Sequence, residues 1–217
     1  MSYPEVLYVR PAVRILGVEF GRLELRDLLI SSLALTVIFA SAFAGGLRFA
    51  SFFGQFLLLL PAAFLGAVPG SFVALAMQKR VGARAGCTIE FRLDARWTAL
   101  SLILAVIAGV AFAITGRLSR FGNLTRSGAG RMGAAGPLAY LAIAGFALMG
   151  AVALRSSQGD FLFTTLRVVT QVDAWLAVLS LIPFPYFAGG DIWRWSKAFW
   201  VILAVAGAAL FFAAGRL

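Results

Sequence analysis

Histidine is absent from the 217 residues, and cysteine occurs once, as Cys87. The first absence removes the commonest zinc ligand and the commonest general base together. The second excludes an internal disulfide, so cysteine usage says nothing of compartment. Charge is scarce as well, at 13% of residues against about 25% in a soluble domain. Acids are the rarer sign: nine Asp and Glu stand against 19 Lys and Arg, a net charge of +10.

What replaces charge is apolar chain. Hydrophobic residues make up 61% of the sequence, and the mean hydropathy is +0.93. The excess falls in blocks of about 20 residues, the length that crosses a bilayer core as a helix. The blocks lie near 28–47, 51–77, 97–115, 132–154, 163–182 and 197–215. They predict an all-α, polytopic membrane protein of six transmembrane helices. Residues 1–26 are expected as a cytoplasmic or interfacial arm and 27–217 as one transmembrane domain. No signal-peptide pattern opens the chain. Pro61, Pro69 and Gly70 predict a kink or break in the second helix, and a short extended or re-entrant stretch is expected near 87–93.

The basic residues sit in connections between apolar blocks, where they fix topology and meet anionic headgroups. Membrane lipids are therefore expected partners, and nucleic acid is not. With six alternating spans, 12 Lys and Arg fall on the N-terminal side and seven on the other. That bias predicts a cytoplasmic N-terminus, in the cell membrane.

Several segments carry a resemblance in the right order. Arg26-Asp27-Leu28-Leu29 opens the first helix. Lys79, Val81 and Arg84 precede Gly86-Cys87-Thr88-Ile89-Glu90-Phe91-Arg92. Phe112-Ala113-Ile114-Thr115-Gly116 ends the third block, Ala135-Gly136-Pro137-Leu138 opens the fourth, and Ser180 to Gly189 follows the fifth with Pro183 and Pro185 inside it. Together, over roughly 26–195, these resemble the archaeal branch of the site-2 protease family of zinc intramembrane metalloproteases.

That resemblance implies a helical membrane core with a His-Glu-x-x-His zinc motif on the second helix and an Asp ligand after the fifth. In this register the first His position is Ala74, the Glu is Leu75, the second His is Gln78 and the Asp is Ala188. A neutral amide is a poor zinc ligand, and Cys87 and Glu90 fall outside the implied metal set. The positions of two further family asparagines hold Tyr140 and Ser180. The resemblance thus implies a degenerate member: no catalytic residue, no metal, no cofactor and no enzymatic activity. It implies a pseudoprotease that binds other integral membrane proteins in a groove holding Gln78, Tyr140, Asp173, Ser180, Pro183 and Pro185.

Two other readings stand beside it. The chain is expected alternatively as an accessory subunit of a larger membrane complex. A third reading keeps an enzyme, with Asp173 and Asp191 as paired acids that share a proton and activate water. Ionisable groups inside spans are costly and so mark candidate sites. The plainer expectation for Asp173 is a bundle-facing acid paired with Arg167 or a backbone donor. Asp27 is expected at a helix N-terminus, where the dipole favours a carboxylate. Trp193, Trp195 and Trp200, with Arg194 and Lys197, read as an interfacial anchor. Ala147 and Ala151 permit close helix contact.

Overall fold

The structure is a computed structural model, and it describes residues 12–15, 17–157, 160–183 and 187–217. It is 74% helical, with seven α-helices. A hairpin of β1 (Ala12–Ile15) and β2 (Val18–Gly21) leads into α1 (Arg22–Phe43). Then come α2 (Phe52–Arg84), β3 (Thr88–Leu93), α3 (Ala95–Ala108), β4 (Gly116–Phe121) and α4 (Arg126–Ala153). A single 3-10 turn at Arg155–Ser157 precedes α5 (Phe161–Ser180), α6 (Gly189–Trp195) and α7 (Lys197–Gly215).

Five helices, α1, α2, α4, α5 and α7, are long and apolar enough to cross a membrane. Six were expected, and the third block accounts for the difference. Its helix stops after 14 residues, about 21 Å at 1.5 Å per residue, and residues 109–115 return beside it without helical structure. Expected all-α, the fold also holds two small antiparallel sheets, β1–β2 and β3–β4. The extended stretch expected near 87–93 is β3, hydrogen-bonded to β4 from Thr88 opposite Phe121 to Leu93 opposite Gly116.

Backbone packed among long apolar helices must find partners inside the protein, and the return segment does. Ser101 Oγ donates to the Ile114 carbonyl at 3.0 Å and accepts from the Ile114 N–H at 3.3 Å. Thr98 Oγ1 donates to Thr115 O, Trp175 Nε1 to Ala111 O at 2.8 Å, and the Thr115 and Ser31 hydroxyls lie 2.5 Å apart. Ser101→Ala leaves the Ile114 amide without that partner, so it is expected to cost about 1–3 kcal/mol. Amide hydrogen exchange should show faster exchange confined to 109–115, while exchange in α5 stays as it is.

The β3–β4 pairing also fixes which helix ends share a face. The end of α2 and the start of α4 are each a few residues from the same ladder, so both lie on the side where α1 begins. Consequently α5 starts, and α7 ends, on the opposite side. Two contacts agree: Arg120 pairs with Asp191 at 2.5 Å, and Arg167 donates to the last carbonyls of α7, Ala214 O at 2.9 Å and Gly215 O at 3.4 Å. Among the described residues, only Arg48, Arg155, Arg167 and Arg216 of the basic side chains lie toward that opposite face.

The expected break in α2 does not interrupt it: the helix runs continuously through Pro61 and Pro69. Transmembrane helices tolerate proline where neighbouring helices satisfy the freed groups. Here Gly66 and Gly70 bring α5 against α2, with Val172 and Asp173 in the positions a methyl would need. The main core gathers Leu35, Ile38, Phe39, Ala63, Ala67, Val172 and Leu176 from α1, α2 and α5. Ala147 and Ala151 are buried within the bundle, so their small size serves internal packing.

Candidate functional site

A cleft of about 140 Å³ opens among α1, α2, the 113–118 stretch, α4 and α5. All four positions that align with the zinc motif line it. Ala74, Leu75 and Gln78 come from successive turns of α2, and Ala188 from the segment ahead of α6. Tyr140 and Ser180, also singled out from the sequence, complete the same wall with Gly136 and Pro137.

The floor is held from below by one carboxylate. Glu24, 2% exposed, sits in the first turn of α1. Its side chain accepts from the Gly21 N–H at 3.3 Å, from Lys79 Nζ at 2.6 Å and from the Phe91 N–H at 3.0 Å. Those contacts tie the entry to α1, the last turns of α2 and strand β3 into one unit. Lys79 is 8% exposed, and its ammonium also lies 4.7 Å from the centre of the Phe20 ring. Asp27 pairs with Arg26 at 3.1 Å and Arg92 at 3.9 Å, which keeps the front of β3 against α1.

Other expected site residues lie elsewhere. Pro183 is exposed and borders a separate surface cavity with Arg120, Phe187, Asp191 and Arg194. Pro185 lies outside the described residues. Asp173 is wholly buried, and among the described residues neither carboxylate oxygen has a hydrogen-bond partner. Its expected partner Arg167 is occupied at the end of α7 instead. Asp173 packs against Gly70 and Tyr140 without lining the cleft, while Asp191 lines the surface cavity in its pair with Arg120. The two acids are not brought to a common cavity.

The sequence reading missed Glu24, Ser31 and Ser71, and it quoted Phe91 and Thr115 within motifs without placing them at the cleft. Ser31 and Ser71 are hydroxyls inside apolar runs, a signal that was present. Glu24 stands three residues after the N-cap Gly21, the spacing from which a carboxylate reaches back to the cap, and it accepts from the Gly21 N–H.

The donor set does not fit zinc. A catalytic zinc takes three converging protein ligands and a water. Of the four aligned positions only Gln78 carries a side-chain donor. Its amide is packed onto α4, where a methyl on Gly136 would meet Nε2 at 2.5 Å. Among the described residues no group of three or more His, Cys, Asp or Glu side chains could hold a metal ion. Cys87 is buried at the far end of α2, beside β3.

No protein-family profile matches the chain, and no solved structure matches it. A protein of Methanocaldococcus jannaschii with the name "Putative zinc metalloprotease MJ0611" is 28% identical over 191 residues, covering 86% of this chain and 92% of the relative. The chain is therefore similar, along most of its length, to a protein named as a metalloprotease. That name points to protease activity, and it overturns the expectation that the chain has no enzymatic role.

Proposed function

We propose that the chain is a site-2-protease-like, multi-pass membrane protein that takes a transmembrane segment of another membrane protein into the cleft beside Ala74, Gln78, Tyr140 and Ser180. The observation that carries this reading is the cleft's wall at 113–118. It is non-helical backbone, already held on one side by α3 and β3, and it fronts a space shared with four long apolar helices. A client segment that unwinds locally needs partners for its freed N–H and C=O groups, and extended backbone offers them. The relative's name brings protease chemistry to the same cleft as an activity to be measured.

The face that carries β3, β4 and the start of α4 is assigned to the cytoplasm. Support comes from the charge distribution: among the described residues only Arg48, Arg155, Arg167 and Arg216 lie opposite, a far steeper bias than six alternating spans gave.

The test uses the full chain in native membranes, with a photo-crosslinking residue at Ser180. A second version carries it at Val205, which is 62% exposed on α7. Adducts with single-pass proteins are expected at Ser180 and not at Val205, and Ala74→Trp, which fills the cleft, should reduce them several-fold. Equal adducts at both positions would sink the reading. A stoichiometric adduct that survives purification assigns the accessory-subunit role instead. Incubating the captured segment with added zinc, and in parallel with a chelator, reads cleavage directly.

A further inference from the structure

A second concavity lies on the outer face of the bundle, between α2 and α4. It measures about 560 Å³. Met77 forms one wall, and Leu138, Ala142 and Phe146 form the other, with Trp195 at the end nearer α6. All four wall residues are exposed, Phe146 at 71%. The furrow exists because α4 presents small residues where a larger side chain would close the gap.

Its mouth is charged. Arg131, in the second turn of α4, lines the furrow and is exposed. Among the described residues it has no carboxylate partner and no hydrogen bond. It stands on the face that carries nearly all the basic residues, at the level where the apolar stretch of α4 begins.

We infer that this furrow is a binding site for one anionic phospholipid, its phosphate on Arg131 and an acyl chain laid along Met77, Leu138, Ala142 and Phe146. Charge complementarity selects the headgroup: an unpaired guanidinium at a membrane surface attracts anionic lipid by about 1 kcal/mol. Shape selects the chain. A single acyl chain is slender enough to lie within a furrow between two helices already in contact and to cover both walls, whereas a third helix would have to enter through its side chains and would bring no anion to Arg131. A soluble anion would use Arg131 and leave the apolar walls uncovered.

Trp195 supplies the readout. The full chain is reconstituted in phosphatidylcholine vesicles containing increasing phosphatidylglycerol, with bromine on the acyl chains of one lipid at a time. Quenching that disappears in Trp195→Phe belongs to the furrow. Brominated phosphatidylglycerol is expected to quench this fraction at roughly fivefold lower mole fraction than brominated phosphatidylcholine, the ratio that about 1 kcal/mol corresponds to. Arg131→Gln should bring the two lipids to parity. Ala142→Phe fills the furrow from its exposed side and should weaken quenching by both. Equal quenching in the unaltered chain overturns the proposal, as does a preference that survives Arg131→Gln. Displacement by inorganic phosphate also overturns it, in favour of a soluble anion. So does a protein adduct in place of lipid when a photo-crosslinker stands at Ala142.

Discussion

Glu24→Gln is expected to destabilise the folded chain by about 3–5 kcal/mol, the range for removing one partner of a buried ion pair. The loss is large because three donors converge on that carboxylate and two of them have nowhere else to go. Lys79 is left as an ammonium, 8% exposed, with only the face of Phe20 nearby. Glutamine keeps a single acceptor oxygen, so it cannot serve both the Phe91 N–H on one side and Lys79 with the Gly21 N–H on the other. Thermal unfolding in detergent should show the drop. Glu24→Leu combined with Lys79→Met should recover most of it, because two apolar groups of similar length remove the uncompensated charge rather than the packing. If the double replacement is as unstable as Glu24→Gln, the ion pair is not what holds the hairpin. Phe91 lines the cleft, so even below the melting temperature Glu24→Gln should reduce adducts at Ser180.

The membrane helices were legible because their signal is strong: about 20 apolar residues in a row have few uses other than crossing lipid. Block 97–115 misled for the same reason. Its composition is that of a span, but Gly109, with φ of +68°, ends α3 in a left-handed cap. Residues 110–115 then find their hydrogen bonds in Ser101, Thr98 and Trp175, and hydropathy cannot record such partners. That difference between six expected blocks and five long apolar helices also bears on which helix ends share a face, since the end of α2 and the start of α4 meet at one ladder.

What the sequence offered toward the candidate cleft came from motif order rather than from chemistry. Ala74, Leu75, Gln78, Ala188, Tyr140 and Ser180 do meet at one cleft, although none is a residue whose type announces a site. Asp173 shows the opposite. Its type announced a site, yet the structure buries it away from the cleft and gives the nearby Arg167 a different partner. Glu24 was hidden because a carboxylate in a helix's first turn is ordinarily a cap, and here the cap also receives a lysine 55 positions away.

Gly109→Ala is expected to be among the most damaging single-methyl additions in the chain, at about 3 kcal/mol. Two costs combine. A left-handed backbone disfavours an L side chain by roughly 1–2 kcal/mol, and the methyl would enter occupied space, for roughly 1–3 kcal/mol more. That space is backbone: the added carbon would lie 2.6 Å from both the carbonyl carbon and oxygen of Gly45. Backbone cannot swing aside as a side chain does, and a methyl on the neighbouring Gly46 would come just as close to the Gly109 nitrogen from the other direction. The Leu47 N–H donating to Val106 O at 2.7 Å, and Arg48 donating to Ala108 O at 2.6 Å, pin the same crossing. Gly54→Ala is the matched control, since nothing lies within 4 Å of its added carbon. It should be neutral or stabilise by up to about 1 kcal/mol through helix propensity. Chemical denaturation in mixed micelles separates the two. Equal midpoints would mean that the backbone crossing can open without penalty, and the return segment at 109–115 would then have no fixed depth from which to wall the cleft.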